Sequence, residues 1–166
     1  MLVEALLPEF DHEIAATRRL LERLPGDRLA FQPHPKSMTL ATLCEHMGQL
    51  GVWGRLTISE LGVDLEAMAR PADYQPLASK AALLAHFDRE MAAARAALAG
   101  RSDDELLAPW TLRRGAREFF TMPRASCWRT FVMNHLIHHR GQLTVYLREL
   151  DVPLPSIYGP SADEAV

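Results

Sequence analysis

Cysteine is nearly absent from this chain. Cys44 and Cys127 are its two cysteines, too few for a disulfide framework, and neither stands in a CxxC pair that would suggest a thiol metal or redox centre. Both read as small buried hydrophobes. A basic excess is missing as well: 18 Lys and Arg against 21 Asp and Glu give a formal net charge of −3, so the charge pattern of a protein that neutralises many phosphates is not there, and nucleic acid is not an expected partner. No apolar run approaches the roughly 18 residues that span a bilayer. The opening MLVEALLPEFDHE meets an acid at Glu4 instead of beginning with a basic region, so the expectation is a cytoplasmic protein with no membrane partner. Aromatic residues are scarce at 7%. With alanine and leucine dominating the longer segments, the composition turns towards helix.

What is present is period 3.6 in four segments, within a chain of 166 residues that suits one domain over 1–166. The first runs from Leu2 to Leu24, with Pro25-Gly26 as its stop. The second starts at the N-cap Thr39 and reaches Leu61, where Gly62 can take the left-handed position that ends a helix. The third runs from Ser79 to Gly100, and the fourth follows Met122-Pro123 and continues to Leu150. Ser102 and Glu105 have the spacing of a capping box on a short helix over Asp103 to Ala108. After it, TLRRGAREFF places turn residues between two short runs and suits a small hairpin. The expected fold class is therefore all-α: a four-helix bundle with long connections at 25–38 and 62–78, and room for one small β-hairpin before the last helix.

Projected at about 100° per residue, the core stripes of three helices contain polar side chains where apolar ones belong. On the first helix, Glu13 and Thr17 fall within a stripe of Leu6, Phe10, Ile14, Leu21 and Leu24. On the second, His46 lies between Leu43 and Leu50, with Thr42 and Gln49 beside it. On the fourth, His135, His139 and Gln142 sit amid Trp128, Phe131, Val132 and Tyr146. Buried without partners, each such group costs a few kcal/mol, so these should meet one another or an ion. His135 and His139 stand one helical turn apart and can converge on one metal; His46 would supply a third nitrogen. Three imidazoles leave a fourth position for water or substrate, the arrangement of a catalytic site rather than a closed one. The competing reading is a satisfied core histidine, and geometry alone does not choose between them. His138, at i+3 from His135, also permits chelation.

The segments FDHEIAATRRLLERLP, PHPKSMTLATLCEHMGQLGVW and NHLIHHRGQLTVYLRELDVPLPSIYGPSADE resemble the DinB (damage-inducible protein) family of DinB/YfiT-like metalloenzymes. The likeness spans nearly the whole chain and is weakest between residues 63 and 120. Its most specific parts are the run in which His135 and His139 are followed by Arg140-Gly141-Gln142, and the tail Tyr158 to Asp163. It implies a four-helix bundle in which His46, His135 and His139 bind a divalent metal, with zinc or nickel the leading candidates, and it favours His139 over His138. Related branches are S-transferases that use low-molecular-weight thiols. The resemblance therefore implies a metal-dependent enzyme with a small-molecule substrate, a thiol S-transferase acting on an electrophile ahead of a hydrolase, and a homodimer. The alternative is a non-enzymatic stress-response bundle that binds a metal or ligand.

Glu13 is a candidate catalytic residue, as proton acceptor or as orienter of a ligand histidine; the plainer reading is a carboxylate paired with a basic residue. Gln142 is a candidate for a hydrogen bond to a ligand histidine. Gly141 reads as a close-packing residue, and His12 and His86 as solvated. His34 belongs to a structural loop. Arg113, Arg114, Arg117, Arg124 and Arg129 read as a solvated basic surface. Trp53, Trp128, Phe131 and Tyr146 are core aromatics that can also wall a pocket. The proline-rich tail, anchored by Ile157 and Tyr158, is expected to be ordered and to border the metal pocket, with Asp163 or Glu164 paired to Arg140 or another basic residue.

Overall fold

In the computed structural model, which describes residues 1–68 and 74–164, the helix-start signals of the sequence do what their chemistry suggests. Residues 69–73, within the connection 62–78, lie outside the described residues. Helix α1 (Leu2–Leu21) comes first, followed by α2 (Leu40–Ser59), whose cap Thr39 accepts from the Thr42 amide at 3.2 Å. Ser79 accepts from the Ala82 amide at 3.1 Å ahead of α3 (Lys80–Leu98). Ser102 and Glu105 close a reciprocal capping box on α4 (Asp103–Leu107). Gly100, at φ +75°, supplies the left-handed residue after α3. The last helix is one continuous rod in three parts: α5 (Arg124–Cys127), a wide π-helical turn over Trp128–Met133, and α6 (Asn134–Glu149).

The four long helices bundle so that α1 and α2 each pack on both α3 and α6. Consecutive α1 and α2 therefore stand on a diagonal, which is why the connection between them must be long. Leu20, Leu43, Phe87, Leu136 and Leu143, one or more from each helix, are fully buried between them. No helix among the described residues is long and apolar enough to cross a membrane.

All-α is not the full description. The expected hairpin forms as β2 (Pro109–Arg114) and β3 (Arg117–Pro123), and β1 (Gly62–Asp64) adds a parallel third strand in the order β1-β2-β3. Gly62 thus serves the sheet and does not end a helix. A Cβ on it would stand 2.4 Å from the Thr111 carbonyl oxygen, so only glycine allows β1 this close to β2. Val63, Trp110 and Cys127 form a small second core beneath the sheet. Arg124 ties this layer to the bundle. It is buried, and its guanidinium donates to the carbonyls of Thr57 at 2.6 Å and Ile58 at 3.1 Å, capping the end of α2. It does not belong to a solvated basic surface.

Two glycines with opposite surroundings give a test of the packing. A Cβ at Gly51 would stand 2.5 Å from the backbone of Glu90, so Gly51 is what lets α2 and α3 approach; one at Gly141 would meet nothing within 4 Å. The close-packing role read for Gly141 is thus not there. Gly51→Ala is expected to destabilise the protein by about 1–3 kcal/mol through overpacking. Gly141→Ala is expected to stabilise it by about 0.5–1 kcal/mol through helix propensity. Urea denaturation checks both, and equal effects of the two substitutions would refute the account.

Candidate metal centre

His46 sits in the middle of α2, and His135 and His139 face it from successive turns of α6, because the α2 and α6 stripes that carry them pack on each other. One ligand atom from each of the three lies within 4.8 Å of the others. The Nε2 atoms of His46 and His135 are 3.3 Å apart. Two nitrogens bound at about 2.0–2.1 Å to one tetrahedral centre stand about 3.3–3.4 Å apart, so this spacing fits a shared ion. His139 Nδ1 lies 2.7 Å from Gln142 Oε1. An amide oxygen only accepts, so Nδ1 carries the proton and Nε2 the lone pair. That Nε2 atom is buried and has no hydrogen-bond partner among the described residues. A buried, unpaired acceptor beside two other ring nitrogens is what a three-histidine metal site requires.

The electrostatics point the same way. Burial holds His135 below the ordinary histidine pKa, opposed by a hydrogen bond to the Phe131 backbone and aided by the neighbouring His138. Burial likewise lowers His139, against the bond to Gln142. Both rings thus stay neutral, the form that coordinates. His138 is exposed, its ring 5.0 Å from that of His139, and it is not part of the cluster.

His46 and His135 open onto a cavity of about 280 Å³ between bundle and sheet. The sheet side contributes Leu65, Trp110, Leu112 and Phe120; the helices contribute Trp53, Cys127 and Phe131 together with His46 and His135. Trp53 and Phe131 therefore wall a pocket, whereas Trp128 and Tyr146 are buried in the bundle core. Phe131 was expected in the core stripe. The wide turn rotates it out to 36% exposure, where it stacks on Phe120 at 4.7 Å and 8°. Trp110 and Phe120 were missed because they lie on strands, outside any helical stripe.

Glu13 is buried in an ion pair with Arg140 at 2.6 Å, and both its oxygens accept from the Tyr158 hydroxyl at 2.9 Å. The Arg140 guanidinium lies 4.9 Å from the Tyr158 ring centroid and also donates to the Glu13 carbonyl at 3.3 Å. Thr17, fully buried, accepts from the same guanidinium at 3.5 Å. The tail is ordered through Glu164: Asp163 pairs with Arg148 at 2.6 Å, and Glu164 takes the Ser156 amide at 2.7 Å and faces Arg23 at 3.6 Å. The acids find basic partners other than Arg140. No described tail residue lines the cavity, and the tail reaches the site through Tyr158 and Arg140, next in sequence to His139.

His12 is exposed, as expected, and His34 fastens its own loop by accepting from the Lys36 amide at 3.1 Å. His86 departs from the reading as solvated. It is wedged between α3 and α2 against Gly48, with a side chain only 14% exposed. Glu45 is a buried acid the helical stripes did not mark; it accepts from the Leu77 amide at 3.2 Å, where the connection into α3 folds over α2.

The chain resembles YrdA of Bacillus subtilis strain 168, at 27% identity over 98% of this chain and 91% of that protein. A DinB-like protein from Bacillus cereus superposes with a TM-score of 0.72 at 23% identity, covering 93% of this chain and 97% of that one. YfiT from Bacillus subtilis, described as "a probable metal-dependent hydrolase with an unusual four-helix bundle topology", gives 0.66 at 14% identity, covering 90% and 88%. Likeness at these identities shows the fold. The family model itself matches residues 1–165, and on that match the chain belongs to the DinB family.

Proposed function

We propose that the chain is a metal-dependent enzyme acting on a small molecule, with His46, His135 and His139 holding one divalent ion. The observation that carries this reading is the unpaired, buried Nε2 of His139 facing two further imidazole nitrogens. A divalent ion held there would supply Lewis acidity to a thiol or a water at the position that three imidazoles leave open. The protein's own residues do the rest. Gln142 accepts a hydrogen bond from Nδ1–H of His139 and fixes that ring, and burial keeps His135 and His139 neutral. Glu13 acts as a positioning residue, anchoring Arg140 beside His139. Two routes follow. No carboxylate is among the described residues that line the cavity, which favours a nucleophile acidic enough to arrive as a small thiolate. The description of YfiT as a hydrolase favours water.

Elemental analysis tests the reading. About one zinc or nickel ion per chain is expected near pH 7.5, with turnover of a generic electrophile that depends on both metal and added thiol. Turnover that needs metal but no thiol selects the hydrolase. The ion is expected to leave as the pH falls from 7 to 5, because protons compete for the ring nitrogens. In the metal-free protein His135 and His139 titrate below 6.5. The unfolded chain then takes up protons first, so stability falls as the pH drops through 6.5 and levels off below the lowered values. Metal occupancy that is constant from pH 7 to 5 rules out imidazole ligation.

A further inference from the structure

The metal chemistry leaves open which molecules come to it, and the wall opposite the histidines bears on that question. We propose that the cavity between the sheet and the last helix seats the apolar part of the substrate, an uncharged ring system or alkyl chain whose reactive end lies against His46 and His135. For its chemistry the proposal rests on the metal-centre reading; for binding it does not.

The first support is composition. Among the described lining residues the polar groups are the imidazoles of His46 and His135, the indole N–H groups of Trp53 and Trp110, the latter donated to the Leu56 carbonyl, and the Cys127 thiol, which burial pushes up so that it stays neutral. No Asp, Glu, Lys or Arg is among the described residues that line the cavity. A charged group placed against this wall would lose water and gain no counter-charge, whereas an apolar group gains with every methylene buried. The second support is size. At about 280 Å³ the cavity is nearly twice the roughly 150 Å³ that accommodates benzene. That is room for about two fused rings or a chain of eight to ten carbons. The third is access. Phe131 is 36% exposed and stacks on Phe120, so two parallel rings form a mouth rather than a sealed core void. The sheet has its own small core, apart from the bundle's, and turns Trp110, Leu112 and Phe120 towards this space.

Calorimetric titration with straight-chain 1-alkanols from butanol to decanol tests the proposal, on the protein as purified and after chelation. The Kd is expected to fall about fourfold per added methylene and then level off once the cavity is full. 1,8-octanediol, which carries a second hydroxyl into the wall, is expected to bind about tenfold or more weakly than 1-octanol. Leu112→Trp, which fills the space, should erase the dependence on chain length while metal content stays as in the unaltered protein. Phe131→Ala, which opens the mouth, should move the plateau to longer chains, and it decides the matter if Leu112→Trp does not fold. A flat series, or unchanged series in both variants, overturns the proposal even where the ion is stoichiometric. The expected series in a protein that holds no metal upholds the pocket and removes the metal reading instead.

Discussion

His46→Ala, His135→Ala and His139→Ala are each expected to lower metal affinity by well over the 10–100-fold that removing an outer partner of a ligand costs. Gln142→Ala supplies that outer-partner comparison: it frees the His139 ring without removing a nitrogen, and a loss of about 10–100-fold is expected. His12→Ala, at an exposed position away from the cluster, should leave the affinity unchanged. Competition titration against a chromophoric chelator measures all five. The order matters as much as the size. Stoichiometric ion in His46→Ala would reduce the centre to a pair on one helix, and equal losses for Gln142 and His139 would mean that ring orientation, not ligation, is being read.

Glu13→Ala is expected to be the most destabilising single change away from the histidines. It strands the Arg140 guanidinium, 2% exposed, without its carboxylate. Breaking a buried ion pair from one side costs about 3–5 kcal/mol, roughly a fifth or more of the total stability of a typical domain. Removing both charges leaves no stranded ion, so the double variant Glu13→Leu with Arg140→Met should recover much of the loss. Urea unfolding of the two single variants and the double closes the cycle. A single-variant loss below about 1 kcal/mol would mean that water reaches the pair and that Tyr158 does not cover it. Tyr158→Phe separates the tail's share, since it removes only the hydroxyl that both Glu13 oxygens accept.

The helices and the cluster were legible because their signals are local. Thr39, Ser79 and Ser102 mark helix starts by side-chain chemistry within three residues, and a histidine amid leucines shows on a single helical projection. The sheet was half legible. The turn between β2 and β3 is written in adjacent residues, but β1 is three residues long and pairs with β2 nearly fifty residues later, which no local pattern records. The same reason hid most of the cavity wall, since Leu65, Trp110 and Phe120 meet the histidines only once the sheet has docked. Arg124 looked like surface charge because the carbonyls it caps, those of Thr57 and Ile58 at the end of α2, lie 67 and 66 residues earlier in the chain. Glu13 appeared as a buried acid from its place in the stripe, while its partner Arg140 on α6 and the tail hydroxyl beside it are beyond any local window.

The wide turn at Trp128–Met133 bears on how a bound molecule is oriented. Along an α-helix, side chains four residues apart drift sideways by about 40° at each step, so a row of four soon winds off one face. A turn closed by i→i+5 hydrogen bonds holds more than four residues and drifts the opposite way. Placed between Cys127 and Asn134, it offsets the winding, and Cys127, Phe131 and His135 all line the cavity, while His139, one ordinary helical turn further on, meets His135 in the histidine cluster. The last helix therefore presents a graduated edge to the cavity, a thiol, then a phenyl ring, then the imidazole of His135. A molecule lying along it has its head and tail assigned before any chemistry begins.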